Sequence, residues 1–354
     1  MAKLVISVVG ARPQFVKLAP VAAALARAGL EHRIVHSGQH YDAAMSAAFF
    51  ADLAIPAPDA NLGVGSGPHG RQTGAMLAAL EDVLAAERPA WVLVYGDTNT
   101  TLAAALAAVK LGLPAAHLEA GLRSFNRAMP EEHNRVLTDH AADLLLAPTE
   151  VALGHLAREG LAGRARLVGD VMADVCLQVA DAVRPAWRQA PPPAAAPFLV
   201  ATIHRPANTD GAERLAGVIG ALAGLDCEVR LAAHPRLRAK AAALGVALER
   251  GAIRLTEPLA YPELVAQVID SAGVVTDSGG LQKEAYLLGR PCTTVRGETE
   301  WVETLAGGWN TLAAEPAQIG PAAARPWPTA PRGQPYGDGR AAERVAAALA
   351  EAGP

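Results

Sequence analysis

Residues 4–29, LVISVVGARPQFVKLAPVAAALARAG, decide the fold of this chain. The stretch opens with an almost continuous apolar run, which is typical of a strand that is buried on both faces of a parallel sheet. Gly10 ends the run, Pro13 suits the first turn of a helix, and Gly29 suits its C-terminal end. A buried strand, a glycine turn and a helix at the start of a chain indicate a doubly wound α/β fold.

The same strand-and-helix rhythm repeats along the rest of the chain and has one clear break. Residues 185–197, PAWRQAPPPAAAP, are rich in proline and alanine and have no apolar periodicity, which indicates an interdomain linker. We therefore predict an α/β protein of two Rossmann-like doubly wound domains that face a cleft. The predicted domains span 1–184 and 198–336. Residues 337–354 are predicted to form a C-terminal helix, and a return of this helix to the first domain is one option.

Composition narrows the class of protein. The chain has 354 residues, of which 51% are apolar, and this is enough for two buried cores. Its formal net charge is −4 and it has no basic stripe, so nucleic acid is not an expected partner. Three widely spaced cysteines, Cys176, Cys227 and Cys292, match neither a disulfide framework nor a zinc site and favour a reducing cytoplasm. Since no uncharged apolar run is long enough to span a membrane, no membrane association is expected.

Charged groups are densest in residues 117–135, HLEAGLRSFNRAMPEEHNR, which hold three carboxylates, three arginines and two histidines. The stretch follows an apolar strand that ends near His117, and ligands of open α/β sheets bind at the carboxyl ends of strands. This density indicates tuned acid–base chemistry, although a solvated loop with surface ion pairs has the same composition. The spacing of His117 and Glu119 also occurs in zinc deaminases, but their PCxxC motif is missing from the chain.

Further polar groups lie at other strand ends in the first half. Asp97 follows the strand WVLVY, and it is either an acid–base group or a capping carboxylate of the turn. Arg12 and Lys17 lie at the start of the first helix, where the helix N-terminus and two cations would attract an anion. Ordinary surface charge is the alternative interpretation of both cations.

The sequence TDSGGLQKE, residues 276–284, is the clearest signal in the second half. Its two glycines and the free N–H groups of the following helix are suited to a phosphate, and Glu284 is suited to the hydroxyls of a ribose. No GxxxxGK[ST] pattern is present, so this is not a P-loop, and a plain strand-to-helix turn is the alternative. His204, Arg205 and His234 stand at other strand ends. Because no third ligand is spaced to join the histidines, we expect donors to a diphosphate and no metal site.

Eleven segments in the same order over nearly the whole chain resemble the non-hydrolysing UDP-N-acetylglucosamine 2-epimerases, which have a GT-B-type fold. The segments are GARPQFVKLAP, YGDTNTTLA, HLEAGLR, PEEHNR, PTE, GDV, IHR, HP, TDSGGLQKEA, ETEWVE and YGDG. The resemblance implies catalytic roles for Asp97, Glu119, Glu131 and His204. It implies phosphate contacts for the Ser-Gly-Gly sequence, a ribose contact for Glu284 and a uracil contact for Leu264. The full set of substrate-binding residues that it implies is Arg12, Lys17, Arg123, Arg135, His234, Leu264, Ser278, Gly279, Gly280, Glu284 and Trp301.

The chemistry of the family eliminates UDP across C1–C2 to give a 2-acetamidoglucal, and UDP then adds back with C2 inverted. The resemblance therefore implies an isomerase that converts UDP-GlcNAc to UDP-ManNAc, as a homodimer and with no cofactor or metal. The sequence leaves open which carboxylate is the base and which is the acid.

Two alternatives to this assignment remain at the level of the sequence. Trp301 stands where many relatives have an arginine, and it resembles the branch that epimerises UDP-2,3-diacetamido-2,3-dideoxyglucuronate. That sugar is the alternative substrate. A GT-B glycosyltransferase is the alternative activity, because one fold serves several functions.

Overall fold

The computed structural model describes residues 3–39, 55–188 and 198–352. The chain divides into two compact units, Met1–Val175 with Gln334–Pro354 and Cys176–Gly333. Each unit is built on one parallel sheet whose strands alternate with helices. The predicted α/β class with two Rossmann-like domains is therefore confirmed.

The sheet of the first unit consists of the parallel strands β1 (Leu4–Val9), β2 (Glu31–His36), β3 (Ala60–Asn61), β4 (Trp91–Tyr95), β5 (Ala115–Leu118), β6 (Leu144–Ala147) and β7 (Ala165–Leu167). All of them except the two-residue β3 were predicted from the sequence, which has no strand pattern at that position. Their spatial order is β3-β2-β1-β4-β5-β6-β7. The order changes direction beside β1, as in doubly wound sheets, and ligands of such sheets bind outside the carboxyl ends of the strands.

Helices cover both faces of this sheet, and they are α1 (Arg12–Arg27), α2 (His69–Glu87), α3 (Asn99–Lys110), α4 (Pro130–Ala141), α5 (Glu150–Arg158) and α6 (Val171–Val183), the last of which ends in the second unit. Alternate strand side chains enter two apolar cores. Val5 and Val9 belong to one core, and Ile6 and Val8 belong to the other. Burial on both faces explains why the strands read as continuous apolar runs.

The second unit repeats this construction with β8 (Phe198–Thr202), β9 (Glu228–Ala232), β10 (Ile253–Thr256), β11 (Gly273–Thr276), β12 (Cys292–Thr294) and β13 (Asn310–Leu312). The parallel order is β10-β9-β8-β11-β12-β13. The helices of this unit are α7 (Pro206–Thr209), α8 (Ala212–Ala223), α9 (Pro235–Ala243), α10 (Tyr261–Asp270), α11 (Gly279–Leu287) and α12 (Pro316–Ala323).

The last helix, α13 (Ala341–Glu351), belongs to the first unit, where it packs against α1 and adds its apolar face to the core. Its first free N–H groups are satisfied by the Asp174 carboxylate, which accepts from Ala341 at 2.9 Å and from Ala342 at 2.7 Å. At the other end, the Lys3 ammonium donates to the carbonyl of Ala350 at 2.7 Å. Both ends of the helix are thus tied to distant parts of the chain.

The two units divide between Val175 and Cys176, inside α6, whereas the sequence places the boundary after residue 184. Most of the predicted linker, 189–197, lies outside the described residues, so the predicted boundaries stay a prediction. Within the described ranges, no helix combines the length and the apolar character that a membrane crossing requires.

Candidate active site

The carboxyl edge of the first sheet gathers charged side chains from several elements. Lys17, in the second turn of α1, forms an ion pair with Glu119, which follows β5. The two side chains are only 10% and 11% exposed. Burial alone would lower the pKa of Lys17, but the charge and hydrogen bond of Glu119, together with the charges of Asp97 and Asp170, raise it overall. Lys17 is therefore a fixed cation at this edge.

The backbone around this ion pair has an uncommon conformation. Glu119 has a φ of 75°, in the left-handed region, which costs a residue with a side chain about 1–3 kcal/mol. The carbonyl of Leu146 accepts hydrogen bonds from the amides of Glu119 and Ala120, at 3.1 and 3.2 Å, and so holds this turn. On the neighbouring strand end, a Cβ on Gly96 would lie 3.1 Å from Glu119 Oε2 and 3.2 Å from Lys17 Nζ. Strain of this kind is concentrated at functional sites.

Asp97 directly follows Gly96 and points to the same edge. Arg135 Nη1, from α4, lies 2.5 Å from Asp97 Oδ2, and the Asp97 side chain is 36% exposed. Burial raises the pKa of Asp97, and the charges of Glu119 and Glu131 act in the same direction, against those of Arg135 and Lys17. Asp97 is therefore a carboxyl group that retains a proton more readily than an ordinary aspartate.

Two glutamates lie in the first turn of α4, where a helix N-terminus favours carboxylates. Glu132 is 5% exposed and accepts hydrogen bonds from Arg135 at 2.8 Å and from the amides of Ser124 and Phe125 at 2.9 and 2.8 Å. Glu131 has no hydrogen-bond or ion-pair partner among the residues that the structure describes. Glu132 thus fixes the preceding loop, and Glu131 is the carboxylate that remains for a ligand.

Arg123, a predicted substrate contact, is 5% exposed and bonded to protein groups. It donates to both carboxylate oxygens of Glu159, at 2.8 and 2.7 Å, and to Asp139 Oδ2 at 2.7 Å. Its contact with a substrate stays a prediction. Arg12 begins α1, and its side chain lies outside the described part of the molecule.

In the second unit, the predicted phosphate cradle lies at the start of α11. Ser278 is the N-cap residue, and its Oγ accepts from the amide of Leu281 at 3.3 Å. Gly279 and Gly280 form the first turn of the helix. A Cβ on Gly279 would lie 2.7 Å from Glu300 Oε1, so this position requires glycine unless the glutamate moves. The backbone N–H groups here are suited to an anion.

His204 lies at the end of β8 beside this cradle. The buried Asp277 carboxylate accepts from the amides of His204 and Arg205 at 3.1 and 2.9 Å, and His204 Nδ1 lies 3.2 Å from Asp277 Oδ1. The His204 side chain is 45% exposed. Burial lowers its pKa, as do the charges of Arg205, His234 and Arg236, against that of Asp277. The neutral ring is therefore favoured at neutral pH.

The other predicted binding residues of this unit lie on three helices. His234 is exposed at the start of α9, and its Nδ1 accepts from a backbone amide of the first turn. Leu264 is half-buried on α10. Glu284 is 7% exposed on α11 and accepts from the Tyr261 hydroxyl at 2.9 Å. Their predicted contacts with a substrate stay predictions.

Trp301 is a buried side chain, 6% exposed, and is not a surface residue of the cradle. The Lys283 ammonium lies 3.8 Å from the centroid of its ring, which is a close cation–π contact. The indole Nε1 lies 3.6 Å from the position that a Cβ on Gly279 would occupy. Trp301 therefore packs under Lys283 and presents its one N–H group near the cradle.

Comparison with known proteins shows the family of the chain. The family model described as UDP-N-acetylglucosamine 2-epimerase matches residues 23–350. The chain belongs to the UDP-N-acetylglucosamine 2-epimerase family. It is 44% identical over 360 residues to the UDP-2,3-diacetamido-2,3-dideoxy-D-glucuronate 2-epimerase of Pseudomonas aeruginosa, covering 98% of this chain and 99% of that protein. It is 37% identical to the UDP-N-acetylglucosamine 2-epimerase of Methanocaldococcus jannaschii, covering 96% of each chain.

A solved structure agrees with this assignment. The crystal structure of Methanocaldococcus jannaschii UDP-GlcNAc 2-epimerase, in complex with UDP-GlcNAc and UDP, is similar to this epimerase-family chain with a TM-score of 0.84 and 36% identity, covering 99% of this chain and 100% of that one. The predicted family, the GT-B-type fold class and the assignment to UDP-sugar 2-epimerases, which are isomerases, are confirmed.

The structure brings the predicted site residues of the epimerase together in two groups. One edge holds Lys17, Asp97, Glu119, Glu131 and Arg135, and the other holds His204, Ser278, Gly279, Gly280 and Trp301. Sequence reasoning missed the carboxylates around these groups, which are the buried Glu132, Asp139 and Asp277 and the partly buried Glu300. Glu132 had a signal, because it lies three residues before Arg135 on the same helix and pairs with it. Asp277 had one too, since it precedes the Ser-Gly-Gly turn.

Proposed function

We propose that this protein epimerises C2 of a UDP-2-acetamido sugar by elimination and re-addition of UDP through a 2-acetamidoglucal. The observation that carries the proposal is the group of three carboxylates at the carboxyl edge of the first sheet, in which Glu119 pairs with Lys17 and the charges of Glu119 and Glu131 both act on Asp97. Family membership supplies the reaction class, and this edge supplies the acid–base groups that the reaction needs.

The chemistry explains why more than one carboxylate is required. C2 of an N-acetyl sugar has no neighbouring carbonyl, so its proton is weakly acidic. In the elimination a base takes the C2 proton, a C1–C2 double bond forms, and the C1–O bond breaks with its electron pair on UDP. In the reverse step UDP adds to C1 and a proton reaches C2 from the opposite face. Groups on two faces of the sugar are therefore needed, with donors that stabilise the departing diphosphate.

The first unit supplies the acid–base groups in this proposal. Asp97, whose pKa burial raises, is the carboxyl group best suited to hold a proton. Glu131, which has no partner among the described residues, and Glu119, which pairs with Lys17, are the candidate bases. Arg135 fixes Asp97 by a hydrogen bond of 2.5 Å.

The second unit supplies the UDP-binding groups. The N–H groups at the start of α11 and the Ser278 hydroxyl are suited to the diphosphate. His204, held by Asp277, is proposed to contact the same diphosphate. Glu284 is proposed to bind the ribose, with the Tyr261 hydroxyl fixing its carboxylate, and Leu264 is proposed to contact the uracil.

Two substrates are candidates for the sugar. UDP-GlcNAc is the substrate that the sequence motifs favour. UDP-2,3-diacetamido-2,3-dideoxyglucuronate is the second candidate, and a specific observation favours it. The Pseudomonas aeruginosa enzyme of that name is 44% identical over essentially the whole of both chains. The presence of Trp301 where many relatives have arginine supports the same candidate.

Incubation of the protein in deuterated water with each UDP-sugar, without an acceptor, tests the proposal. A 2-epimerase equilibrates the two C2 epimers and incorporates deuterium at C2. A glycosyltransferase of the same fold does neither, and a hydrolysing enzyme releases free sugar and UDP. The sugar with the higher kcat/KM is the substrate. Absence of both epimerisation and deuterium uptake with both sugars would refute the proposed function.

A homodimer and a cytoplasmic location are also part of the proposal. The dimer follows from the resemblance to the family. The location is supported by the three cysteines, which are all free thiols, two of them buried. Free buried thiols are typical of proteins from reducing compartments.

A further inference from the structure

His117 is a buried ionisable group that the proposed reaction does not use. It lies on β5, opposite Val94 of β4 in the sheet, and its side chain is fully buried. It is two residues before Glu119 and beside the turn that carries Asp97. A fully buried imidazole so close to three acid–base groups calls for a physical explanation.

Both ring nitrogens of His117 face oxygen atoms that only accept hydrogen bonds. Nδ1 lies 2.6 Å from Asp139 Oδ1, and Nε2 lies 2.7 Å from the carbonyl oxygen of Gly96. Each short contact requires a proton on nitrogen, unless Asp139 itself is protonated. The ionised form of Asp139 is favoured independently of His117, because the Arg123 guanidinium and the amide of Gly121 donate to its Oδ2 at 2.7 and 3.0 Å. A neutral imidazole has only one N–H, and its lone pair would then face an oxygen lone pair.

The charges of the buried cluster agree with this reading. Asp139 also accepts from the amide of Gly121 at 3.0 Å and from Arg123, which in turn binds Glu159. Glu159 is 26% exposed and also lies 3.3 Å from His140, so Arg123 is shared between Asp139 and a partly solvated carboxylate. A cation on His117 gives the fully buried Asp139 a second positive partner, which suits a buried charge.

We propose that His117 donates from both ring nitrogens, as an imidazolium, and acts as a positioning residue, which fixes the peptide between Gly96 and Asp97 and thereby the direction of the Asp97 carboxyl group. The proposal rests on the proposed function, since it concerns the placement of a group used in that reaction. Gly96 has a φ of 64°, so the orientation of this peptide is not imposed by an ordinary strand ending.

A closed set of contacts supports this role. The Gly96 carbonyl accepts a hydrogen bond from His117, and the Asp97 carboxylate accepts one from Arg135. Arg135 and Asp139 lie one turn apart on α4, and Asp139 holds the other nitrogen of His117. Asp97 is therefore fixed at its backbone and at its side chain by the same helix, so loss of the His117–Gly96 bond should move the Asp97 carboxyl group.

Nitrogen NMR of the protein labelled at histidine tests the charge directly. The His117 signals are assigned by their absence from the spectrum of the His117→Gln variant. We expect both ring nitrogens to have the chemical shifts of protonated nitrogens at neutral and mildly alkaline pH. If one ring nitrogen has the chemical shift of an unprotonated nitrogen, the proposal that His117 is an imidazolium is refuted.

Two matched variants test the positioning role. An asparagine amide can place its N–H near the position of Nδ1, and a glutamine amide near that of Nε2. His117→Asn therefore keeps the donor to Asp139 and loses the one to Gly96, while His117→Gln does the reverse. We expect kcat to fall by about 10²-fold in His117→Asn, because a small displacement of a reacting group has an effect of this size, and by less than about tenfold in His117→Gln. The affinity for UDP should stay within about twofold of wild type in both.

A merely structural role gives a different result. In that case kcat would follow the loss of thermal stability, and the glutamine variant would be impaired as much as the asparagine variant. Such an outcome would overturn the positioning role. Asp143→Asn is the control, because Asp143 accepts from the amide of Ala115 at 2.9 Å at the opposite end of β5, and its kcat should be unchanged. If the wild-type protein epimerises neither UDP-sugar, the proposed function fails and the positioning role with it, whereas the spectrum still decides the charge of His117.

Discussion

The carboxyl edges of the two sheets have the same backbone plan and opposite side-chain character. In the first unit, Lys17 and Glu119 pair with each other and are 10% and 11% exposed, while Arg135 binds Asp97. In the second unit, the His204 side chain is 45% exposed, and a helix begins with two glycines. One edge thus fixes charged groups against each other, and the other presents backbone N–H groups and a half-exposed ring.

This difference follows the two tasks of an elimination. Acid–base groups must keep their positions and protonation states before a substrate arrives, so pairing and burial suit them. Groups that bind a diphosphate must be able to donate to a ligand, so a helix N-terminus is more suitable than an ion pair. Substitutions at the first edge should therefore lower turnover, and substitutions at the second edge should weaken UDP binding.

The largest effects are expected at the first edge. Asp97→Asn, Glu119→Gln and Glu131→Gln should each lower turnover by about 10²-fold or more, which is the usual contribution of a positioned acid or base. UDP should still bind, at least to Glu131→Gln, because this residue has no partner to lose among those described. Turnover is measured by epimer equilibration and UDP affinity by calorimetry. Near-normal turnover in all three variants would contradict the assignment.

At the second edge, Gly279→Ala should weaken UDP binding by about tenfold and change turnover at saturation less. The new Cβ would lie 2.7 Å from Glu300 Oε1 and would cover the N–H groups of the first turn of α11. A tenfold change corresponds to about 1.4 kcal/mol of binding free energy. Gly220→Ala, where a Cβ meets no atom within 4 Å, is the control and should leave UDP affinity unchanged. An unaltered affinity in Gly279→Ala would show that UDP does not bind here.

A smaller effect is expected from Trp301→Phe, which keeps an aromatic ring under Lys283 and removes the indole N–H together with one of the two fused rings. If that N–H helps to select the sugar, the ratio of activities on the two candidate substrates should change by about threefold, the size of one hydrogen bond. The thermal midpoint should fall, because the smaller ring leaves a cavity at a buried site, so the ratio of activities is the readout for selection of the sugar. A constant ratio would mean that Trp301 only packs, and its support for the uronate substrate would be lost.

The smallest effect concerns stability. The raised pKa of Asp97 means that its ionised form is less favourable in the folded protein than in the unfolded chain. This cost is present above the folded pKa and disappears below the unfolded value, which is about 3.9. Asp97→Asn should therefore raise the thermal midpoint at neutral pH, and this gain should disappear below the unfolded pKa value. Asp226→Asn, in the turn after α8, is the control in the same calorimetric scans. If the thermal midpoint of Asp97→Asn remains higher than that of the wild type at low pH, loss of the carboxylate charge is not the cause.

The sequence predicts the architecture well, because the signals for it are local. Continuous apolar runs mark strands buried on both faces, and the prolines and glycines at their ends mark the turns. It also predicts most residues at the two edges, since these follow strands directly. What it does not contain is the partner of each charged group. Arg123 was predicted to bind substrate, and its guanidinium is bonded to Glu159, which lies just after the end of α5 and 36 residues away.

The role of His117 was not predicted for the same reason: the sequence does not show which groups its side chain contacts. Its spacing from Glu119 suggested a metal motif, which the rest of the chain excluded, and no local pattern showed that a backbone carbonyl and an aspartate would lie on either side of its ring. Long-range pairs of this kind depend on strand register and helix position, which the periodicity of the sequence does not determine.

The position of α13 in the first unit has a consequence for biosynthesis. This helix contributes Val345 and Leu349 to the core that also contains Phe15, so the core of the first unit is complete only after nearly the whole chain has been translated. The second unit is continuous in sequence and contains all of its strands before that point. Although domains commonly fold in the order in which they leave the ribosome, we expect the first-made unit of this protein to acquire its final stability last.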